Sequence, residues 1–537
     1  FHNVLCLSEA KGMDIKMAIQ TFAAIEIGSF ELELGIYEIS AKTGIHCVDT
    51  VRHVISLGSE TFSKGKISYD MVEEMCSVLN DFVQIMNLYK VKDYRAYATS
   101  AMREARNNQI ILDQIRVRTG IRVRIISNSE QRFISYKAIA LKEAEFNRII
   151  QKGTAIVDVG FGSAQLSLFD KDALVTTQNL PLGMLQVQSF LSNIPATVKE
   201  YRQLIEEIVD NELFTFRKMY LKDREITNLI AIGDNMLHLM YRMDAKGTDG
   251  KIDGVRVSRF CDCVSQMSQA QIEEQFQISS EYAALFLPMA IVYKRILEIT
   301  GAQLFWMPGI GLCDGIAAEY ADDCRVVKFG HNFENDILAA SVNMAKRYKC
   351  HSSHNQVLAQ YALKIFDCTK KLHGLGKRER LLLNIAVILH SCGKFISIRN
   401  SNECGYNIIM STEIIGLSHL EREIIANVVR YNIRDFDYDM VHLETHLHQE
   451  EVYGFNRNAI TILIAKLTAI LRLANSMDRS HHGKLADCRM ALKNQELVIT
   501  TGYQGNLSLE RASFEQKADF FEEIFGIKPV LKQKRRV

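Results

Sequence analysis

The sequence predicts an α/β protein: two related α/β halves around a central cleft, then an all-helical region, then a small α+β cap. Three observations predict it. A strand, a glycine bend and a second strand occur as a word twice. Around each copy, apolar runs of period two alternate with stretches of helical period. From about Val327 the helical period stands alone.

The first copy is Thr21 to Glu38, TFAAIEIGSFELELGIYE, and the second is Thr154 to Asp170, TAIVDVGFGSAQLSLFD, about 132 positions further on. Each opens on an apolar run and reaches an acid, Glu26 or Asp158. Each then bends through glycine and serine (Gly28 and Ser29; Gly160, Gly162 and Ser163) and returns in alternation. Glycine lets backbone N–H groups approach an anion closely or adopt positive φ. A carboxylate just before such a bend is placed to meet a metal ion or a water beside that anion. One copy alone reads first as a plain β-turn whose acid caps its own backbone. The doubling points to two halves that clamp a phosphate chain between them.

The first half, expected over 17–149, follows a leader, 1–16, that stands outside the fold argument. It continues with a strand over Cys47–Leu57 and a helix over Ser68–Met86, apolar at 3–4 spacing. A strand at Tyr94–Ala98 runs into Thr99-Ser100-Ala101-Met102-Arg103, a junction whose unpaired N–H groups favour an anion. Arg103 is either a fork on a phosphate or a solvated helix arginine. A strand at Arg122–Ile126 precedes a helix to Arg148, with Ser129 or Asn128 as N-cap and Glu130 suited to the helix dipole.

The second half, 150–320, adds a helix near Thr197–Tyr220, a strand Asn228–Ile232 and the turn Gly233-Asp234-Asn235, where Asp234 could cap the next helix. Its last strand, Gln303–Met307, runs into a glycine-rich turn. No Walker loop occurs. The helical region, 321–484, is strongest at His354–Phe366, Glu379–His390, Ser418–Arg430 and Asn458–Ser476. The cap, 485–537, alternates at Leu497 and Ile499 and again at Leu507 and Leu509, then forms a short helix, Phe514–Phe525. Its basic end, Lys532 to Arg536, reads as a solvated terminus.

A chain of 537 residues exceeds one core, so three or four domains are expected. A net charge of +1 supplies no global field for nucleic acid or an anionic membrane, and neither is expected as a partner. The twelve cysteines are scattered, and Cys261 and Cys263 form a lone CxC, too little for zinc. Without a secretory pattern, reduced thiols in the cytoplasm are expected. No apolar run reaches the roughly 18–20 residues of a membrane span. His442, His446 and His448, and His481-His482, read as loop or surface groups.

The duplicated words resemble the acetate kinase, sugar kinase, heat-shock chaperone and actin superfamily. Within it, the chain resembles the exopolyphosphatase and guanosine pentaphosphate phosphohydrolase (Ppx/GppA) family. The matching words are AAIEIGS (23–29), YATSAMREARN (97–107), VRIISNSEQR (123–132), IVDVGFGSAQLSLF (156–169), NLPLGML (179–185) and GIGLCDGI (309–316), in the family's order and spacing. The resemblance implies two actin-like (ribonuclease H-like) subdomains with a central cleft, then a helical module related to metal-dependent HD phosphohydrolases. It implies a homodimer that releases terminal phosphate from inorganic polyphosphate or guanosine pentaphosphate with Mg²⁺ or Mn²⁺. Gly28, Ser29, Arg103, Gly160, Gly162, Ser163 and Gly233 would bind phosphate, and Asp158 and Glu26 would hold the metal.

The chain also departs from that family. Two adjacent glutamates, the second a base for the attacking water, are here Glu130 and Gln131. An amide can orient a water but cannot take its proton. Glu130 is therefore the carboxylate expected to inherit the role. Gln165 replaces a glutamate, Glu26 an aspartate and Phe30 an asparagine, while Phe161 occupies a glycine-loop position and is expected to narrow the cleft. With the cradle retained, these changes also support a second reading, a non-catalytic binder or sensor of polyphosphate or ppGpp-like nucleotides. A third, a kinase-like ATPase, lacks an adenosine-binding signature. In the helical module the His-Asp pair is His390-Ser391. With His354 it offers too few ligands for a metal centre, and packed or capping histidines are expected.

Overall fold

A computed structural model describes residues 19–191, 194, 198–222, 224–233, 250–439, 441, 443 and 457–534. The chain divides into two units, Phe1–Phe333 and Glu334–Val537.

The first unit holds two sheets of one plan. The first contains β1 (Gln20–Ile27), β2 (Glu31–Ser40), β3 (Gly44–Val54), β4 (Asp93–Ala98) and β5 (Val123–Ile125), in the order β3-β2-β1-β4-β5. The second contains β6 (Thr154–Val159), β7 (Ala164–Asp170), β8 (Ala173–Leu180), β9 (Asn228–Ile232), β10 (Lys251–Asp253) and β11 (Leu304–Trp306), in the order β10-β11-β9-β6-β7-β8. In both, the opening strand pairs antiparallel with the next and parallel with the fourth. The repeated word is therefore a repeated sheet. Residues Phe22–Ile25 of β1 and Thr154–Val157 of β6 are all buried, as covered parallel strands require.

The helix Leu312–Asp323 returns to the first sheet. Leu312, Cys313, Ile316 and Ala317 share a core with Phe22, Ala24 and Tyr97, and the Phe22 and Tyr320 rings stack at 4.0 Å. The chain thus crosses between the halves twice, and the second crossing precedes the expected end of the second half at 320.

Other boundaries differ locally. Leu57 opens the helix Leu57–Lys64 instead of closing a strand, because the apolar alternation of β3 runs straight into the next element. The helix expected to reach Arg148 breaks into Asn128–Ala140 and Glu143–Ile149. The helix near Thr197–Tyr220 is Val198–Phe216 followed by one π-helical turn, Arg217–Leu221, with Thr197 outside the described residues. Asp234 and Asn235 also lie outside the described residues.

In the second unit the helices Ser352–Cys368, Lys377–Leu389, His419–Arg430 and Arg457–Ser476 stand where periodicity places them. Among the described residues, Arg457–Ser476 is long and apolar enough to cross a membrane by length and composition, and it is mostly buried within the protein. Beside these helices lies a sheet of β12 (Arg489–Lys493), β13 (Glu496–Thr501) and β14 (Lys528–Gln533). Leu507 and Leu509 belong to the start of the helix Ser508–Phe525 and not to a strand. Buried Phe514, Ala518, Phe521 and Phe525 set the helical period that overrides that two-residue alternation.

His354 and His390 are packed, while His481 and His482 are exposed, as expected for them. His354 Nδ1 lies 2.7 Å from Asp478 Oδ2, and its ring stacks on His481 at 3.8 Å. His390 donates from Nδ1 to the Val387 carbonyl at 2.7 Å. His442, His446, His448, Arg535 and Arg536 lie outside the described residues. Burial, reinforced by His354, Lys394 and His481, pushes the His390 pKa down to about 3. An unfolded histidine titrates near 6.5, so below that pH the unfolded chain takes up a proton that the folded chain refuses. Stability therefore falls as the pH drops from about 6.5 toward 3. The acid-side fall of the urea midpoint between about pH 7 and 5 is expected to be shallower in His390→Asn than in the wild type.

Candidate functional site

The two bends are built alike. The Gly28 N–H donates to the Glu31 carbonyl at 2.9 Å, and the Gly160 N–H to the Ser163 carbonyl at 3.0 Å. In each, the N–H of the first residue reaches the carbonyl of the fourth, the reverse of the β-turn bond, and bounds a four-residue bend. Among the described residues, the N–H groups of Ser29 and Phe30 in one turn, and Phe161 and Gly162 in the other, donate to no protein acceptor. Successive amides of this kind form a concavity for an anion.

Both tips open on one hollow of about 80 Å³ between the halves. Glu26, Gly28 and Ser29 reach it from the first bend, and Asp158, Gly160, Gly162 and Ser163 from the second. Gln131 enters from the helix Asn128–Ala140, and Gly233 from the end of β9. Ser29 and Ser163 thus share a hollow. At Gly162 a Cβ would stand 2.0 Å from Ser100 Oγ and 3.0 Å from Ser29 Oγ, so only glycine lets the second tip meet the first half. Gly233 has φ +111°, and a Cβ there would lie 3.3 Å from Asp158 Oδ1. Glycine accepts that backbone and leaves the space beside the carboxylate open.

Ser29 offers its backbone more than its hydroxyl. Its Oγ accepts the Ala101 N–H at 3.1 Å and lies 2.8 Å from Ser100 Oγ, ordering the start of the helix Ser100–Glu104.

Arg103 and Glu130 do not line the hollow. Arg103 donates to the Ile126 carbonyl at 2.6 Å and to Asn128 Oδ1, tying its own helix to the next. It acts as a strut between these elements. Glu130 sits in a capping box with Ser127: the Ser127 N–H donates to Glu130 Oε2 at 2.9 Å and the Glu130 N–H to Ser127 Oγ at 3.2 Å. The N-cap is Ser127, not Ser129 or Asn128. Glu130 Oε1 pairs with Arg124 at 2.6 Å. The carboxylate expected to inherit the base role is committed to the helix end. The pattern Ser127-x-x-Glu130 is itself the signature of that cap.

Two features escaped sequence reasoning. Glu31, only 6% exposed, also lines the hollow, and the Tyr282 hydroxyl from the second half donates to its carboxylate. Buried Arg132 donates from Nε to Gln165 Oε1 at 3.0 Å, joining the two halves behind the hollow. A carboxylate directly after a phenylalanine in the first bend was the available signal for Glu31.

The hollow's described lining thus carries three carboxylates, Glu26, Glu31 and Asp158, and no lysine or arginine. Burial, then the nearby Asp158 charge, raises the pKa of the Tyr293 hydroxyl far above its ordinary value, so it stays protonated. Glu26, Glu33 and Cys313 also offer ligand atoms within 4.8 Å of one another, but Arg52 holds Glu33 at 3.1 Å. Among the described residues that trio is the group of three that meets this spacing; Glu26, Glu31 and Asp158 share the hollow without forming one.

From this geometry, Glu130→Gln is expected to lower stability by about 1–3 kcal/mol through the lost cap and ion pair and to leave kcat unchanged. Urea midpoints measured beside initial rates check it.

A sequence model described as the Ppx/GppA phosphatase family matches residues 35–322, and one described as Ppx/GppA phosphatase, domain III, matches residues 338–518. The guanosine-5'-triphosphate,3'-diphosphate pyrophosphatase of Photobacterium profundum is 20% identical over 483 residues, covering 89% of this chain and 91% of that protein. Exopolyphosphatase 1 of Mycobacterium leprae is 26% identical over 162 residues, 30% of this chain and 46% of that one. The crystal structure of an exopolyphosphatase from Cytophaga hutchinsonii aligns with a TM-score of 0.50 at 16% identity, covering 57% of this chain and 100% of that one. This last likeness speaks for the fold, an actin-like pair of α/β halves. With a family match that spans more than half of its length, the chain belongs to the Ppx/GppA phosphatase family.

Proposed function

We propose that the hollow is the catalytic site of a phosphohydrolase that releases terminal phosphate from inorganic polyphosphate or guanosine pentaphosphate. Relatives named for both activities support the reading. The observation that carries it is the pair of amide-lined turns facing one hollow with three carboxylates and no lysine or arginine in its described lining. Amides alone would hold an anion, and carboxylates alone would repel it. Together they call for a cation between acid and phosphate.

Asp158 and Glu26 would hold Mg²⁺ or Mn²⁺, beside the space that Gly233 keeps open. Such an ion, when bound, would offset the charge that develops on the phosphoryl group. The turn amides of Ser29, Phe30, Phe161 and Gly162 bind the terminal phosphoryl group and fix its direction. The Gln131 amide orients a water in line with the bridging P–O bond. The water oxygen bonds to phosphorus, the bridging bond breaks toward the departing chain, and the water proton passes to a carboxylate. Glu130 is committed elsewhere, so Glu31 is assigned that role in place of the earlier expectation. Gly160, Gly162 and Ser163 shape the second turn, and Arg103 acts by holding Asn128.

The reading includes the cytoplasm, since every described cysteine is free. It also includes a homodimer through the helical module, 321–484, on family resemblance alone; light scattering tests it.

Phosphate release from long-chain polyphosphate and from guanosine pentaphosphate, each with Mg²⁺ or Mn²⁺, tests the activity. Wild type is expected to turn over, with Glu31→Gln and Asp158→Asn each lowering kcat by about 10²-fold or more. Gln131→Glu is expected to raise it. No release from either substrate by wild type, with gain in Gln131→Glu, would leave a binder of phosphate chains.

A further inference from the structure

We infer that Phe30 and Phe161 are specificity-determining residues that make the site select a bare linear phosphate chain over one carrying a nucleoside. The inference rests on the reading of the hollow as a phosphate site.

Phe30 sits on the bend of the first half, yet it is 2% exposed and belongs to the apolar core of the second half, with Val159, Leu182 and Leu185. Its ring centroid lies 4.6 Å from that of Phe161 at the opposite tip. The Tyr282 ring meets Phe30 edge-on at 5.0 Å and 79°, while the Tyr282 hydroxyl donates to Glu31. An aromatic clasp therefore joins the two tips beside the phosphate-facing amides.

Two consequences follow from size and surface. Pockets that enclose a nucleotide-sized ligand span about 300–1,000 Å³. At about 80 Å³ this hollow takes the terminal phosphoryl group and little more. Phe161 packs at 4.6 Å and 32° on Phe30 and against the second half's core, which leaves a guanine at most its outer face. A nucleoside would have to part the Phe30–Phe161 pair to be buried on both faces. Affinity then comes from phosphates alone, which a bare chain supplies in greater number.

The test is the ratio of kcat/KM for linear polyphosphate to that for guanosine pentaphosphate, a quantity independent of the fraction of enzyme folded. Wild type is expected to favour polyphosphate by about tenfold or more. Phe161→Gly and Phe30→Asn are each expected to move the ratio at least about tenfold toward the nucleotide, and Phe161→Leu, which keeps the apolar bulk, much less. A wild-type ratio near unity, or a ratio unmoved in both opened variants, overturns the inference. Should wild type release phosphate from neither substrate, the activity reading fails and this one does not. The same ratio is then taken from dissociation constants by calorimetry with Mg²⁺, free of turnover, and the same two results decide.

Discussion

The close approach of the two bends, made possible because Gly162 has no side chain, is the constraint on which the site depends. A methyl group there would collide with Ser100 Oγ. Ser100 or the second tip would have to shift, and the fit of the two bends would loosen. With the tips in contact, amides from both halves converge on one point and three carboxylates stand around it. None of these groups is unusual alone. Their convergence follows from a duplicated sheet, whose opening strands end in turns closed by the same hydrogen bond.

The charge arrangement follows a second constraint. Gathering Glu26, Glu31 and Asp158 around a small hollow is unfavourable unless a cation or a donor accompanies each. Tyr282 donates to Glu31, and Gly233 leaves room beside Asp158. Meanwhile Arg124, Arg103 and Arg132 are committed to a helix cap, to a neighbouring strand end and to Gln165. The positive charge of this region braces the scaffold and leaves the hollow acidic.

Most of the frame was legible in the sequence. Its signals are local: period-two runs, glycine bends, and apolar spacing such as Phe514 to Phe525. The doubled word located both turns, and with them seven of the residues that meet at the hollow. What was illegible is long-range or doubly interpretable. Tyr282 and Glu31 are 251 positions apart, and nothing in either neighbourhood announces the other. The helix Leu312–Asp323 carries an apolar face that fits either half, and only the folded chain shows it on the first. Glu130 is a different case. Its cap pattern was present, but resemblance drew attention to chemistry where helix geometry had already claimed the carboxylate.

The double crossing of the chain bears on how the molecule moves. One link would allow the lobes to swivel and slide. Two links, between the helix Glu143–Ile149 and β6 and again ahead of Leu312, leave chiefly a pivot about the line that joins them. Across the tips that pivot opens against three joins at once, Phe30 with Phe161, Tyr282 with Glu31 and Arg132 with Gln165. Breathing of the lobes therefore requires a ring, a hydroxyl and a guanidinium to let go together.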